Sequence, residues 1–531
     1  MPDATAPEVD ESSMPAAVKQ VEQSGKAWTS DVAPQDLTRK ATRGALVSTV
    51  GQVGMLALRT GSLMVLARLL VKEDFGLVNM VTAFTGFLAL FRDAGLSMAT
   101  VQRASITRAQ VSTLFWANLA VGGLLALLAA AAAPFLATFY KEPRLLWVTV
   151  ALGTGFIFNG AGAQHRAMLL RSMRFSMLAL IDIGSIAVSI VLGIGMAMAG
   201  HGYWALVAMT VGQPAISLPG VWLATRWIPG MPQRRSGIRS MLAFGGAVTL
   251  NNLIIYIAYN ADKVLIGRFW GAAALGIYGR AYQLINMPNE NLYSTIGVVA
   301  FPALSRVQAD PARLRTAFLK GYSLFLSLVM PITVGCAFFA NDIVLVFLGP
   351  KWQDAASIFR LLAPATLGFA FINPFAWLML AGGRAGRFLK IAMIFTPVLI
   401  TSYALGLRHG PHGVAIGFSI GMAVCTLPFQ LCAKHGTSIT LRDLFKAMAP
   451  SVMSIATGAA LTFAAQSVVQ RLGQPFERLV TESAILFGIY LLTLLFIMKQ
   501  KTVYADLLRG AGLAWPTQSR HLEATESVSA Q

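Results

Sequence analysis

Residues 283–297 read QLINMPNENLYSTIG, a run of Asn, Pro and Glu set in a chain that is 56% hydrophobic. A loop is the ordinary home of such a run. As a loop it would leave ALGIYGRAYQL and LYSTIGVVAFPAL on either side, each too short to cross a bilayer, which takes about 20 residues of helix. As a helix it makes 275–304 a single crossing, kinked at Pro288, with Asn286, Glu290 and Asn291 about halfway across. The choice sets the side of the membrane on which every later segment lies, so the charge distribution along the whole chain decides it.

The chain has 531 residues, of which only 12% are charged, against about a quarter in soluble domains. Its mean hydropathy is +0.63. These values describe an all-α polytopic membrane protein, and about 14 apolar stretches are long enough to span. They fall at roughly 44–67, 75–97, 111–135, 145–164, 176–199, 203–226, 241–266, 275–304, 320–341, 356–381, 388–408, 413–433, 447–469 and 480–499. No link between them is long enough to hold a soluble domain. Function must therefore lie within or between the helices.

A net charge of +19 would suit a nucleic-acid partner, but the basic residues are scattered between spans and form no patch with interleaved aromatics. With the N-terminus inside, the cytoplasmic links hold about 25 Lys and Arg and the opposite links about 9, a positive-inside pattern that requires an even number of spans with both ends cytoplasmic. Removing 275–304 from the count would scramble every later side. The charge asymmetry thus makes the opening stretch a crossing helix, and it accounts for the basic charge without an anionic partner.

Residues 1–43 are poor in apolar groups and read as a disordered cytoplasmic tail. They lack the basic, apolar and small-residue order of a signal peptide. The expected divisions are 44–232 for the first six spans, 233–440 for the next six, 441–505 for the last two, and 506–531 for a second cytoplasmic tail. Cys336, Cys425 and Cys432 lie inside spans and read as small apolar packing residues. His409 and His412 have no carboxylate or Cys partner at ligand spacing, so no metal or other cofactor is expected.

The sequence also repeats itself. VLARLLVKEDFGLVNM begins at Val65 and VLIGRFWGAAALGIYG at Val264; aligned on Gly76 and Gly276, Arg68 falls opposite Arg268 and Phe75 opposite Leu275. The match joins spans one and two to spans seven and eight. An even separation keeps both copies in the same orientation, and transporters built from such parallel repeats tend to bind substrate between them.

Two stretches, ARLLVKEDFGLVNMVTAFTGFLALFRDAGLSMATVQR (67–103) and ADKVLIGRFWGAAALGIYGRAYQLINMPNENLYSTIGVVAFPALSRVQ (261–308), carry a family likeness. They resemble the polysaccharide transporter branch of the multidrug/oligosaccharidyl-lipid/polysaccharide superfamily, most closely the bacterial O-antigen and exopolysaccharide repeat-unit flippases, over about residues 44 to 500. The resemblance implies a V of two six-helix lobes whose first, second, seventh and eighth helices line a cavity. It also implies alternating access that carries undecaprenyl-pyrophosphate-linked oligosaccharides out across the inner membrane, for lipopolysaccharide or exopolysaccharide export, in the company of polymerase and chain-length machinery. By position alone, the last two spans would match the extra helices that form a lipid-tail groove in lipid II flippases.

A charge at the centre of a spanning helix costs about 2.5–3.5 kcal/mol, so such residues face a wet cavity or pair with one another. Arg59 lies about 22 Å along span one and either faces the cavity or snorkels to the outer face. Arg92 and Asp93 stand near the cytoplasmic end of span two, as site residues or as an interfacial pair. In span seven Asn252, Tyr256, Tyr259 and Lys263 share one helical face. Asp262, next to Lys263 near the outer end, reads as a gate or a local ion pair.

For the substrate that the resemblance implies, a pyrophosphate wants guanidinium, which points to Arg59 and Arg280 and then to Arg92. Sugars want amides and aromatic faces, which Asn252, Tyr256, Tyr259, Asn286, Asn289 and Asn291 can supply. Glu290 either exchanges a proton or sodium ion or balances an arginine; the sequence leaves both open. Two rival readings stand. A multidrug antiporter of the same fold would want a carboxylate-lined cavity for cationic cargo, and a membrane enzyme acting on lipid-linked sugars would want a catalytic outer loop, whereas the outer links here are short.

Overall fold

The computed structural model describes residues 27–28, 34–92, 100–101, 106–232, 252–469, 473–501 and 504. Its helices are α1 (Pro34–Leu69), α2 (Lys72–Ala89), α3 (Arg108–Tyr140), α4 (Leu145–Arg171), α5 (Phe175–Met198), α6 (Trp204–Thr225), α7 (Ala261–Arg306), α8 (Pro311–Phe338), α9 (Ala340–Phe347), α10 (Gln353–Ala381), α11 (Ala385–Gly406), α12 (Gly410–Lys434), α13 (Leu441–Val469) and α14 (Pro475–Leu492). Two short strands, β1 (Ala27–Trp28) and β2 (Ile106–Thr107), pair antiparallel. Among the described residues, nine helical stretches are long and apolar enough to cross a membrane, and one of them, Ala385–Lys434, contains both α11 and α12. The chain is a multi-pass membrane protein.

The opening stretch is helix throughout. Residues 272–306 run unbroken through Pro288 and Pro302, and the one non-helical residue in α7 is Gly271, with φ 80° and ψ −176°. That left-handed φ is open to glycine and strained for a β-carbon, so the chain turns at Gly271, inside the 267–274 link that the apolar pattern leaves between 241–266 and 275–304. Helix α1 starts at Pro34, ahead of the span start expected near 44, and the β1 pair also falls inside the stretch read as a disordered tail. The short α9 and the Pro350–Trp352 turn in the link before α10 have no counterpart in the sequence reading.

Local chemistry sets several boundaries. The Thr107 hydroxyl accepts from the Gln110 N–H at 3.2 Å, while the Gln110 side chain accepts from the Thr107 N–H at 3.1 Å, a reciprocal cap that opens α3. Asp310 accepts from the Ala312 and Arg313 N–H groups just ahead of α8, whose first residue is Pro311, where a missing N–H costs nothing. Between α3 and α4, Arg144 pairs with Glu142 at 2.7 Å and holds that carboxyl below its ordinary range.

The contacts group into two units. The first holds Met1–Ile285, Ile343–Ala365 and Ala385–Leu427; the second holds Asn286–Asp342, Thr366–Arg384 and Pro428–Gln531. In the first, the α1–α2 turn is tied to the segment around the start of α10. The buried Trp352 indole donates to the Ala67 carbonyl at 2.8 Å, Arg68 donates to the Val346 carbonyl at 2.8 Å, and Lys72 pairs with Asp354 at 2.7 Å. Trp352→Phe keeps a ring against Phe75 but leaves the Ala67 carbonyl unpaired in a buried place, a cost of about 1–3 kcal/mol. A lower melting temperature of the detergent-solubilised protein is expected; an unchanged one would show that this bond contributes nothing.

Also in the first unit, α2 and α7 cross on glycines. A β-carbon on Gly76 would collide with the Ala272 backbone, and one on Gly276 would collide with the Lys72 carbonyl. These contacts are reciprocal at an offset of 200: residue 76 meets 272 as 276 meets 72. Such reciprocity is the mark of a two-fold axis through the contact, the geometry of an isologous interface. The internal repeat seen in the sequence is thus present as pseudo-symmetry in space.

The second unit is joined by α8, α13 and α14. Arg315 grips Asp443 with two bonds of 2.9 and 2.6 Å, Arg478 donates to Asp342 at 2.6 Å, and the buried Tyr490 hydroxyl donates to the Ser327 carbonyl at 2.8 Å. The later half of α7 packs here by stacking Tyr293 on Trp377, ring centres 4.8 Å apart.

Candidate functional site

The first unit encloses a cavity of about 300 Å³. Its polar lining is Arg59 and Ser62 of α1, Ser189 of α5, Thr210 and Gln213 of α6, and Arg280 and Gln283 of α7; Leu63, Leu66, Phe75, Ile186, Ile190, Leu206 and Met209 complete the wall. No lining residue is acidic. Arg59 is exposed, and its guanidinium has no hydrogen bond or ion pair among the described residues.

Arg280 is held from one side only. Its guanidinium carbon lies 4.5 Å from the centre of the Phe75 ring, a cation–π contact, and its Nη2 reaches the Asn79 amide oxygen at 3.5 Å. The Nε is buried with no partner among the described residues. A desolvated donor left unmade is costly, so the side chain is set to receive an acceptor. The hydroxyls of Ser62 and Ser189 donate back to the carbonyls of Arg59 and Ile186, which leaves their oxygens able only to accept further bonds. Donors toward the cavity come from the two guanidiniums and from the amides of Gln213 and Gln283. Such a surface accommodates an anion with several oxygens.

The other sequence candidates fall elsewhere. Tyr256 donates its hydroxyl to the Ala83 carbonyl of α2 at 3.0 Å, so it clasps two helices, while Asn252 is exposed and Tyr259 is partly buried. Asp262 is fully buried; it accepts from the Tyr278 hydroxyl at 2.7 Å and from the Lys263 backbone N–H at 2.8 Å. The Lys263 ammonium donates to Asn260 at 2.8 Å and lies over the Tyr282 ring, and it acts on Asp262 through its charge without a direct side-chain bond. In the second unit Asn289 is buried against Thr333, Asn286 donates to Glu290 at 2.5 Å, and Asn291 donates to the Met287 carbonyl. Arg92 is exposed at the end of span two, and Asp93 lies outside the described residues.

Sequence reasoning missed Ser62, Thr210, Gln213 and Gln283. Gln213 carries a signal that could have been used, as the one amide in the 203–226 span, and Gln283 is the first residue of the stretch that opened the sequence analysis. It also missed the bidentate Arg166–Asp182 pair at 2.7 Å, which joins α4 to α5 and keeps an acid of the first unit occupied.

The helical architecture is that of a polytopic membrane protein. Over 86% of this chain and all of the other, it superposes on the lipid II flippase MurJ in an inward closed conformation with a TM-score of 0.69 at 13% identity. An inward-facing multidrug resistance MATE transporter of the MOP superfamily matches over 72% of this chain and 94% of its own, with a TM-score of 0.59 at 14% identity. These likenesses give the fold. A family model described as polysaccharide biosynthesis protein matches residues 65–357. The teichuronic acid biosynthesis protein TuaB of Bacillus subtilis (strain 168) is 30% identical over 453 residues, 80% of this chain and 89% of that one. The lipopolysaccharide biosynthesis protein WzxC of Escherichia coli (strain K12) is 24% identical over 74% of this chain and 80% of its own. The chain belongs to the polysaccharide biosynthesis protein family.

Proposed function

We propose that the protein is a flippase that carries undecaprenyl-pyrophosphate-linked oligosaccharide repeat units from the cytoplasmic to the periplasmic leaflet of a bacterial inner membrane by alternating access. The observation that supports this most is the cavity that contains Arg59 and Arg280 and no carboxylate. Two guanidiniums suit the charge of a pyrophosphate and its several oxygens, whereas cationic cargo would find no counter-charge there. Gln213 and Gln283 can hold the nearest sugar, and the polyprenyl tail can remain in lipid. The role is transport, without bond-making chemistry.

The reading includes fourteen spans with both termini cytoplasmic. Support comes from the charge asymmetry and from the lengths of α1, α2 and the part of α7 after Gly271, each near or above what a crossing needs. It also includes a lobe for spans one to six, a second for spans seven to twelve, and two further helices. Polymerase and chain-length proteins act on what it delivers.

Deleting the gene in its host tests the proposal. Lipid-linked repeat units should accumulate on the cytoplasmic leaflet while surface polysaccharide is lost. Unchanged polysaccharide with altered drug sensitivity would reject it in favour of an antiporter.

A further inference from the structure

Among the described residues, the ties on the Arg280 guanidinium come from the start of α2. Phe75, whose ring centre lies 4.5 Å from it, and Asn79, whose amide oxygen it reaches at 3.5 Å, stand one helical turn apart there. Whatever fixes that end of α2 and the pose of the Phe75 ring therefore fixes the arginine.

What fixes them is a segment that does not border the cavity. The Trp352 ring lies edge-to-face against Phe75, with ring centres 5.3 Å apart and planes at 75°. Trp352 is buried, and its indole N–H is spent on the Ala67 carbonyl at 2.8 Å, which holds the ring in place. Around it the 346–354 segment clasps the α1–α2 turn. The Val346 carbonyl accepts from Arg68 at 2.8 Å, Lys351 donates to the Arg68 carbonyl at 3.4 Å, and Asp354 pairs with Lys72, the first residue of α2, at 2.7 Å.

Apart from the indole, these ties are exposed polar bonds at a turn, each weak singly and readily exchanged for bonds to water. The contact between Phe75 and Arg280 is buried and strengthened by desolvation. A clasp of exposed bonds can open without unfolding either helix. When the indole withdraws, the Phe75 ring loses the neighbour that holds its plane, and Arg280 loses the aligned face beneath it.

We infer that Trp352 is a positioning residue for the anion hold of the cavity: with the 346–354 clasp closed the indole sets Phe75 and Phe75 sets Arg280, and opening of the clasp loosens Arg280 and lets the pyrophosphate go. This rests on the flippase reading above, whose fourteen-span topology puts the clasp at the periplasmic end. A carrier that loads on one side and unloads on the other needs two states that differ in affinity for the cargo. The relay through Phe75 makes that difference with the same movement that opens the exit.

The test titrates farnesyl pyrophosphate, a soluble prenyl pyrophosphate, into the purified full-length protein in nanodiscs. Trp352→Ala should weaken binding about 10-fold, the scale of a buried cation–π contact that has lost its alignment. Trp352→Phe, which keeps a ring beside Phe75, should stay within about 3-fold of wild type. The loss should run through Arg280: added to Arg280→Ala, Trp352→Ala should cost nothing further, and added to Arg59→Ala it should cost its full factor. Should Trp352→Ala be missing from the membrane, Trp352→Leu, which refills the space without a ring, takes its place in the same cycle.

An equal loss in the Arg280→Ala background would mean that Trp352 only stabilises the fold, and wild-type affinity in Trp352→Ala would mean that it does not act on the site. Either result overturns the relay and leaves the flippase reading standing. A wild type that binds no farnesyl pyrophosphate, or an Arg280→Ala variant that binds it as tightly as wild type, overturns the pyrophosphate assignment of the cavity, and the relay with it.

Discussion

Arg280→Ala should abolish export of lipid-linked repeat units while the protein remains in the membrane at normal level. The side chain has few ties to the protein, the Phe75 face and a long bond to Asn79, and its Nε has none among the described residues. Removing it therefore relieves a buried charge more than it breaks structure, and the loss should fall on the cargo. Truncating one partner of a buried charge-assisted contact costs about 2–5 kcal/mol, or roughly 30-fold to several-thousand-fold in affinity. Arg59→Ala should act in the same direction. Arg280→Lys should rescue little, since an ammonium keeps the charge but loses the planar fork and the stacking on Phe75. Complementation of a flippase deletion, scored by surface polysaccharide with an immunoblot for level, is the measurement. If both alanine variants complement fully, the cavity does not bind the pyrophosphate.

Gly76→Val and Gly276→Val should each be at least as damaging, through a different route. At both positions the obstacle is main chain, the Ala272 backbone for one and the Lys72 carbonyl for the other, and main chain cannot rotate aside as a side chain can. The helices must separate, at a cost of about 3 kcal/mol or more. Low yield, a melting temperature several degrees lower in detergent, and new labelling of cysteines introduced at neighbouring positions 72 and 272 are expected. Because the contact is reciprocal, the two variants should behave alike. A stable, unlabelled Gly76→Val protein would show that α2 and α7 do not meet there.

That the chain is a multi-pass helical membrane protein was legible in hydropathy, because apolar stretches of spanning length follow from the cost of placing polar groups in hydrocarbon. The quoted stretch shows the reach of that reasoning: 283–297 is helix, as the cytoplasmic excess of Lys and Arg required. The turn before it falls at Gly271, within the 267–274 link that hydropathy leaves between two spans, although which residue of that link takes the left-handed φ shows only in three dimensions. At the site, depth within a span singled out Arg59, and the pyrophosphate implied by the resemblance singled out Arg280; both line the cavity. Direction around the helix axis was beyond it. Asn286, Asn289 and Tyr256 have the right chemistry and depth, but their side chains turn to Glu290, Thr333 and the Ala83 carbonyl. Gln213 escaped because a lone amide in an apolar span carries no periodic pattern, and only the folded chain shows the space it borders.

The crossing at Gly76 and Gly276 has a meaning for descent as well as for packing. In an ancestor made of two identical half-length chains, that crossing would have been a subunit interface at which residue 76 met a copy of its own neighbourhood, so every substitution there arrived twice and had to suit itself. Within one chain that constraint does not apply. Position 79 now carries Asn where its counterpart 279 is Gly, and a β-carbon on Gly279 would run into the Asn79 amide. The oxygen at the other side of that amide is the one reached by Arg280. A half-site that symmetry would have forced to be bulky on both sides or bare on both could become bulky on one and bare on the other, and the arginine of the cavity is positioned by that inequality.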